Sequence, residues 1–114
     1  IEAAAIAIAK ERLRNGGHSV ADVTEHGKLG YDLECQGHCG KVFEVKGMGH
    51  PDDVRLRKNH VNAAKQKKEE YVLVCVYNLP TQPNKVGYKE IPDPKEISEP
   101  VEEAIVPKDK WLML

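Results

Sequence analysis

The chain has 114 residues, 17 Lys plus Arg against 18 Asp plus Glu, and a formal net charge of −1. That length supports one domain around a single core, since domains usually run to about 100–150 residues. With 40% hydrophobic residues in short, interrupted runs, neither wholesale disorder nor a membrane span is expected, and no segment has the make-up of a signal peptide. The first residue is Ile1 rather than Met, so a cut inside a longer polypeptide is expected there. Near-neutral charge, taken alone, argues against nucleic acid as a partner.

Residues 1–14 (IEAAAIAIAKERLR) are rich in good helix formers and predict a helix that Gly16-Gly17 stop. Ile1, Ala4, Ala5, Ile8 and either Glu11 or Arg12 fall on one stripe at helical spacing, the expected buried face. A loop follows in which Val20 and Val23 are expected to tuck against the core. The period then changes to two. Tyr31-Asp32-Leu33-Glu34-Cys35 and Lys41-Val42-Phe43-Glu44-Val45-Lys46-Gly47 alternate around Gly37 and Gly40, which predicts a β-hairpin. Leu33, Cys35, Phe43 and Val45 belong to one face of it, and Asp32, Glu34, Glu44 and Lys46 to the other.

Residues 48–55 are rich in Gly, His, Pro and Asp and predict a loop. A helix is expected from Arg57 to Glu70 with Val61, Ala64 and Lys68 on its inner edge. Tyr71–Asn78 is an unbroken apolar run, which predicts a central strand covered on both faces. Pro80, Pro83, Pro92, Pro94, Pro100 and Pro107 punctuate the remainder, where Val86–Ile91 predicts an edge strand and Trp111–Leu114 an apolar end that docks on the core. The expected fold is α/β: a mixed central sheet flanked by helices, with a core over residues 1–95 and an irregular extension over 96–114 packing on it.

Three Cys, an odd number, do not make a disulfide framework. Cys75, inside the apolar run, predicts a buried, inert thiol. Cys35, His38 and Cys39 lie close together in sequence and faintly suggest zinc, but structural zinc takes four ligands in spaced pairs and no second pair follows; His50 or His60 would have to complete the set through the fold. The expectation is a reduced protein inside the cell, cytoplasmic if prokaryotic.

The informative constellation is Asp32 with Glu44-Val45-Lys46. Residues two apart in a strand point to the same side, so Glu44 and Lys46 project together. Asp32 joins them if the hairpin sets it opposite Glu44 or Lys46; alignment opposite Val45 sends it to the other face. Same-face pairing needs an odd loop, such as Gly37-His38-Cys39 with Gln36 opposite Gly40, and three-residue hairpin loops are common. Two carboxylates plus a backbone carbonyl suit Mg²⁺, with an adjacent Lys to hold a water or stabilise developing charge. The default for an alternating hairpin is a solvated polar face. Against it stand the helices and buried strand that cover both sheet faces, which make such a face costly without a use, and Gly30 and Gly47, which flank the set and allow close approach.

Gly30-Tyr31-Asp32-Leu33-Glu34 followed by Phe43-Glu44-Val45-Lys46-Gly47 resembles the PD-(D/E)XK nuclease superfamily. More narrowly, it is similar to the small domain at the C-terminus of plant NO VEIN proteins, which is also fused to prokaryotic helicases and restriction-type ATPases. The matching pieces, Ala3–Arg12, Gly30–Asp32, Glu44–Gly47, Asn59–Ala64, Tyr71–Asn78 and Ile91-Pro92-Asp93-Pro94, run in the same order over residues 3–94. The resemblance implies a metal-dependent endonuclease core: Asp32, Glu44 and the Val45 carbonyl on Mg²⁺ (Mn²⁺ can substitute), Lys46 assisting the water, and Glu11 and Gln66 as auxiliary residues. It also implies a parent protein that processes DNA or restricts foreign DNA. The chain departs from the group's pattern at His60, where a Glu often follows the Asn, and in the Gly47–His50 loop.

Charge is unevenly placed. Arg55, Arg57, Lys58, Lys65, Lys67 and Lys68 fall together with no acid among them, whereas Glu90, Asp93, Glu96, Glu99, Glu102, Glu103 and Asp109 crowd the C-terminal part. The basic run is a candidate phosphate-contacting surface, although a charged run is more often a solvated face. Few aromatics argue against a dedicated single-strand binder, so duplex DNA is the expected partner, beside a fused helicase or ATPase domain and no membrane. The alternative is a catalytically weak or inactive module of this fold that binds DNA or a partner domain.

Overall fold

A computed structural model of the protein describes residues 2–25, 29–80, 83–97 and 104–114. Its elements are α1 (Glu2–Asn15), β1 (Val20–Asp22), β2 (Leu33–Cys35), β3 (Val42–Gly47), β4 (Val54–Leu56), α2 (Lys58–Lys67), β5 (Tyr71–Tyr77), β6 (Gly87–Pro92), β7 (Ala104–Val106) and α3 (Lys108–Trp111). Five strands form one mixed sheet in the order β1-β2-β3-β5-β6. Within it β3 and β5 run parallel, joined by the crossover that contains α2, and the other neighbours are antiparallel. A second, two-stranded antiparallel sheet pairs β4 with β7.

The unbroken apolar run of β5 follows from its two covered faces. Val72, Val74 and Val76 point toward α1, together with Leu33, Phe43 and Val45. Leu73 and Cys75 point the other way, into a cluster with Leu56, Val61, Val106 and Trp111. Glu44 and Lys46 alternate with Phe43 and Val45, so they share the side that carries α2 rather than a solvated face.

Several expectations need correction. The buried stripe of α1 is Ala5, Ala9 and Leu13, while Ala4 is exposed, Ile8 half-buried and Ile1 outside the described residues. The physical reason is size: two alanines let the helix lie close to the sheet, and Ile6 and Ile8 pack along its flanks. On α2 the inner residues are Val61, Ala63 and Ala64; Lys68 is exposed, because the helix ends at Lys67 and a 3₁₀ turn (Lys68–Glu70) with Lys68 at φ 53° redirects the chain into β5. The stretches containing Val20 and Val54 are strands, not loop, each of three residues and too short to display a period.

Residues 104–114 carry β7 and α3. Trp111 is fully buried, donates from its indole N–H to the Asp52 carbonyl at 2.9 Å, and meets the Tyr77 ring at 5.6 Å. Of the acidic run, Glu99, Glu102 and Glu103 lie outside the described residues. Cys75 is buried and free, its thiol pushed up to about 12 by desolvation. Cys35 and Cys39, expected reduced, are joined as a disulfide. The tight loop, with Gly37 and Gly40 both at positive φ, brings their Cα atoms to 5.7 Å, inside the usual span for such a bond.

Candidate functional site

The hairpin register decides whether the acidic side chains meet. Leu33 pairs with Phe43 and Glu34 with Val42, which sets Gln36 across from Gly40 and carries Asp32 to the level of Glu44. The ladder stops at Leu33. Beyond it the Asp32 N–H donates to the Phe43 carbonyl, and the Val45 N–H donates to Asp32 Oδ2, each at 2.9 Å. The Asp32 carboxylate thus takes the place that a strand carbonyl would hold. In an antiparallel strand a residue's N–H and C=O point to the same neighbour, so the Val45 carbonyl is turned toward the Asp32 side.

Glu44, 4% exposed, is the one buried charged side chain among the described residues. Its Oε2 lies 3.5 Å from Lys46 Nζ and 3.4 Å from His60 Nε2. Burial raises its carboxyl to about 8, and the Asp32 carboxylate beside it pushes the same way, against Lys46. Asp32 is also raised, by burial first, with the Val45 N–H and a hydrogen bond with Glu44 opposing. Burial thus favours the protonated form of both carboxyls, most strongly at Glu44.

His60 explains itself through local helix chemistry. It is the third residue of α2, and its Nδ1 accepts from the Arg57 N–H at 3.0 Å, the role that Glu or Gln plays in a capping box. An accepting Nδ1 leaves the proton on Nε2, which faces Glu44. Burial, then the Lys46 and Arg57 charges, lower His60 to about 4, so the ring is neutral. Replacing His60 with Ala removes both the cap acceptor and a donor to a buried carboxyl; a loss of about 1–3 kcal/mol is expected in urea unfolding.

Glu2, exposed in the first turn of α1, lies near enough to feel the charges of Asp32 and Lys46. Burial raises its carboxyl and Asp32 adds to the rise, while Lys46 and a hydrogen bond from the Gly47 backbone lower it. The auxiliary residues expected from sequence sit elsewhere. Glu11 is exposed nine residues farther along α1, roughly 13 Å at 1.5 Å per residue. Gln66 is exposed in the last turn of α2. Sequence reasoning missed Glu2, whose only signal was an acid in the first turn of the first helix, and singled out His60 as a departure from the family pattern without assigning it to this site.

Gly30 lies behind the site at φ 86°, where a Cβ would collide with the Asn59 carbonyl. Its own carbonyl accepts from the buried Tyr71 hydroxyl at 2.7 Å. Gly30→Ala is therefore expected to cost about 1–2 kcal/mol from the backbone conformation alone, with more from the collision with α2, as read in a thermal or urea melt.

The basic residues divide. Arg55 and Arg57 line a cleft of about 340 Å³ together with Lys46, Gly47 and Asp53. Lys67 lines a different cleft with Tyr31 and Glu34. Lys58, Lys65 and Lys68 are exposed on and after α2. The donors that meet here, Asp32, Glu44 and the Val45 carbonyl, are all oxygen, with the two carboxyls in hydrogen-bond contact, a donor chemistry that suits a hard divalent cation such as Mg²⁺. Binding would require Glu44 to release its proton.

The family model described as Protein NO VEIN, C-terminal, matches residues 1–89. No curated protein and no solved structure matches the chain. Among the described residues no helix is long and apolar enough to cross a membrane.

Proposed function

The chain belongs to the NO VEIN C-terminal family, and from that premise and the geometry of its acidic site we propose that it is a metal-dependent DNA endonuclease domain within a larger DNA-processing or restriction protein. The observation that carries this proposal is the meeting of Asp32, Glu44 and Lys46 on β3 and its hairpin partner, beside the apolar cluster that Leu73 and Cys75 enter on the same sheet face. A buried carboxyl beside a second carboxyl is costly, and such groups gather at functional sites.

Asp32, Glu44 and the Val45 carbonyl would hold Mg²⁺ or Mn²⁺, which supplies Lewis-acid charge and an acidified water when bound. The remaining work falls to the chain. The Val45 N–H fixes the orientation of Asp32, and His60 Nε2–H fixes that of Glu44. The Lys46 ammonium, which lines one cleft with Arg55 and Arg57, would stabilise the charge that builds on the phosphodiester oxygens. Hydrolysis proceeds by direct attack of water, without a covalent intermediate. Duplex DNA is gripped through its backbone, and a fused helicase or ATPase domain delivers it.

The test is nicking of supercoiled plasmid with Mg²⁺ or Mn²⁺, comparing the wild-type chain with Asp32→Asn and Lys46→Ala. Equal cleavage by all three would defeat the site assignment. DNA binding without cleavage under any divalent ion would decide for a binding module. The grip has its own test by fluorescence anisotropy on duplex DNA. Arg55→Ala with Arg57→Ala is expected to weaken affinity and to reduce the log–log salt slope by about 1.8, at about 0.9 for each phosphate that is no longer neutralised.

A further inference from the structure

A second polar cluster lies away from the acidic site, at the far end of the hairpin. Cys35, at the end of β2, and Cys39, in the loop after it, are joined there, and His18 reaches them from the segment following α1. His18 Nδ1 stands 3.7 Å from Cys39 Sγ and 4.0 Å from Cys35 Sγ. These three side chains place one ligand atom each within 4.8 Å of one another. His18 and Cys39 are half-buried and Cys35 is buried. Neither His38, which is exposed, nor Cys75, on the opposite face of the sheet, takes part.

We propose that Cys35, Cys39 and His18 form a binding site for a thiophilic divalent cation of the Zn²⁺ class in the dithiol state of the protein, the disulfide being its metal-free, oxidised state. A tetrahedral ion with Zn–S of about 2.3 Å and Zn–N of about 2.0 Å sets N···S near 3.5 Å and S···S near 3.8 Å. His18 already stands at that distance from Cys39 and within half an ångström of it from Cys35. Only the sulfurs must part, which cleavage of their bond permits while the Cα atoms stay near 5.7 Å. A thiol reductant, itself oxidised to a disulfide, supplies the two electrons and two protons that convert the Cys35–Cys39 disulfide to two thiols; metal binding then displaces those two protons. The half-buried edge leaves the fourth position to a water. Three protein ligands with an open fourth position is a known arrangement for this ion. The nitrogen comes from a segment 17 and 21 residues away from the two sulfurs, so the ion would tie the end of α1 to the hairpin loop.

The experiment is a Co²⁺ titration of the chain kept reduced by a phosphine, followed by optical absorption. One equivalent is expected to give thiolate-to-cobalt charge-transfer bands and the strong visible bands of a tetrahedral ion, both erased by Zn²⁺. Cys39→Ser and His18→Ala are each expected to weaken binding at least tenfold, and Cys75→Ala to leave it unchanged. X-ray absorption of the wild-type zinc form, which needs no variant, is expected to count two sulfurs and one imidazole nitrogen. Absence of the charge-transfer bands, binding indifferent to His18→Ala, or a shell without sulfur would overturn the site. None of these outcomes depends on whether the acidic cluster cleaves DNA.

Discussion

Asp32→Asn is expected to lower plasmid nicking by about 10³-fold, and Lys46→Ala by about 10²–10³-fold, each with the fold intact. The magnitudes follow from what each side chain does when charge builds on the phosphodiester: removal of one preorganised electrostatic stabiliser typically costs about 3–4 kcal/mol in a water-poor site. Asn is the informative replacement at position 32 because its carbonyl still accepts from the Val45 N–H, so the end of the β2–β3 ladder survives. What disappears is the negative charge, and with it part of the push that raises Glu44. Lys46→Ala acts in the opposite sense on Glu44, removing a favourable partner 3.5 Å away. A melt of each variant separates loss of chemistry from loss of fold, and two variants that melt like wild type yet cleave like wild type would remove the acidic site from consideration.

The metal-free protein is expected to lose about 1 kcal/mol of stability between pH 6.5 and 8, from a slope of at most 1.36 kcal/mol per unit for one proton that flattens as pH nears the folded Glu44 value. Glu44 goes from 4.5 unfolded to about 8 folded, so the folded chain holds a proton that the unfolded chain has already released. A raised carboxyl contributes stability that is complete below the unfolded value and lost as pH rises through the folded one. Asp32 and Glu2, also raised, act in the same sense. His60 works against them: it is lowered from 6.5 to about 4, so over that interval the unfolded state binds the extra proton and stability rises with pH. The two effects offset one another on the acid side, and the fall stands clear only above 6.5. Urea unfolding across pH, with Glu44→Gln as the reference that lacks the Glu44 contribution, checks this; an equally steep wild-type and variant curve would assign the slope elsewhere. On the proposed function the sign reverses for metal: Mg²⁺ affinity rises with pH through 8, and calorimetry in two buffers of different ionisation enthalpy reads close to one proton released per ion bound at neutral pH.

Much of the fold is legible because it is written in periods. Alternation from Tyr31 to Gly47 marks the hairpin, its faces and, through the three-residue loop, its register. The apolar run of β5 announces two covered faces, and α2 is located to within a few residues. Strands of three residues carry no period, so β1, β4 and β7 are invisible to such reasoning. The buried stripe of α1 lies off the expected one, because an alanine-rich helix offers several similar stripes and the sheet selects the one that packs closest.

The division for function is similar. The sequence by itself determined that Glu44 and Lys46 share a face, because strand geometry fixes which side chains of one strand project together, while the place of Asp32 waited on the hairpin register. It also determined that the net charge of −1 conceals separate basic and acidic stretches. Only the tertiary structure decided that Glu44 is dry, that Glu2 rather than Glu11 comes to its side of the molecule, that His60 turns its Nε2 toward it, and that His18 rather than His38 meets the two cysteines. Each of these depends on residues brought together from separate elements. Burial and proton affinity are set by such long-range contacts, whereas local spacing fixes only the direction in which a side chain leaves its own strand or helix.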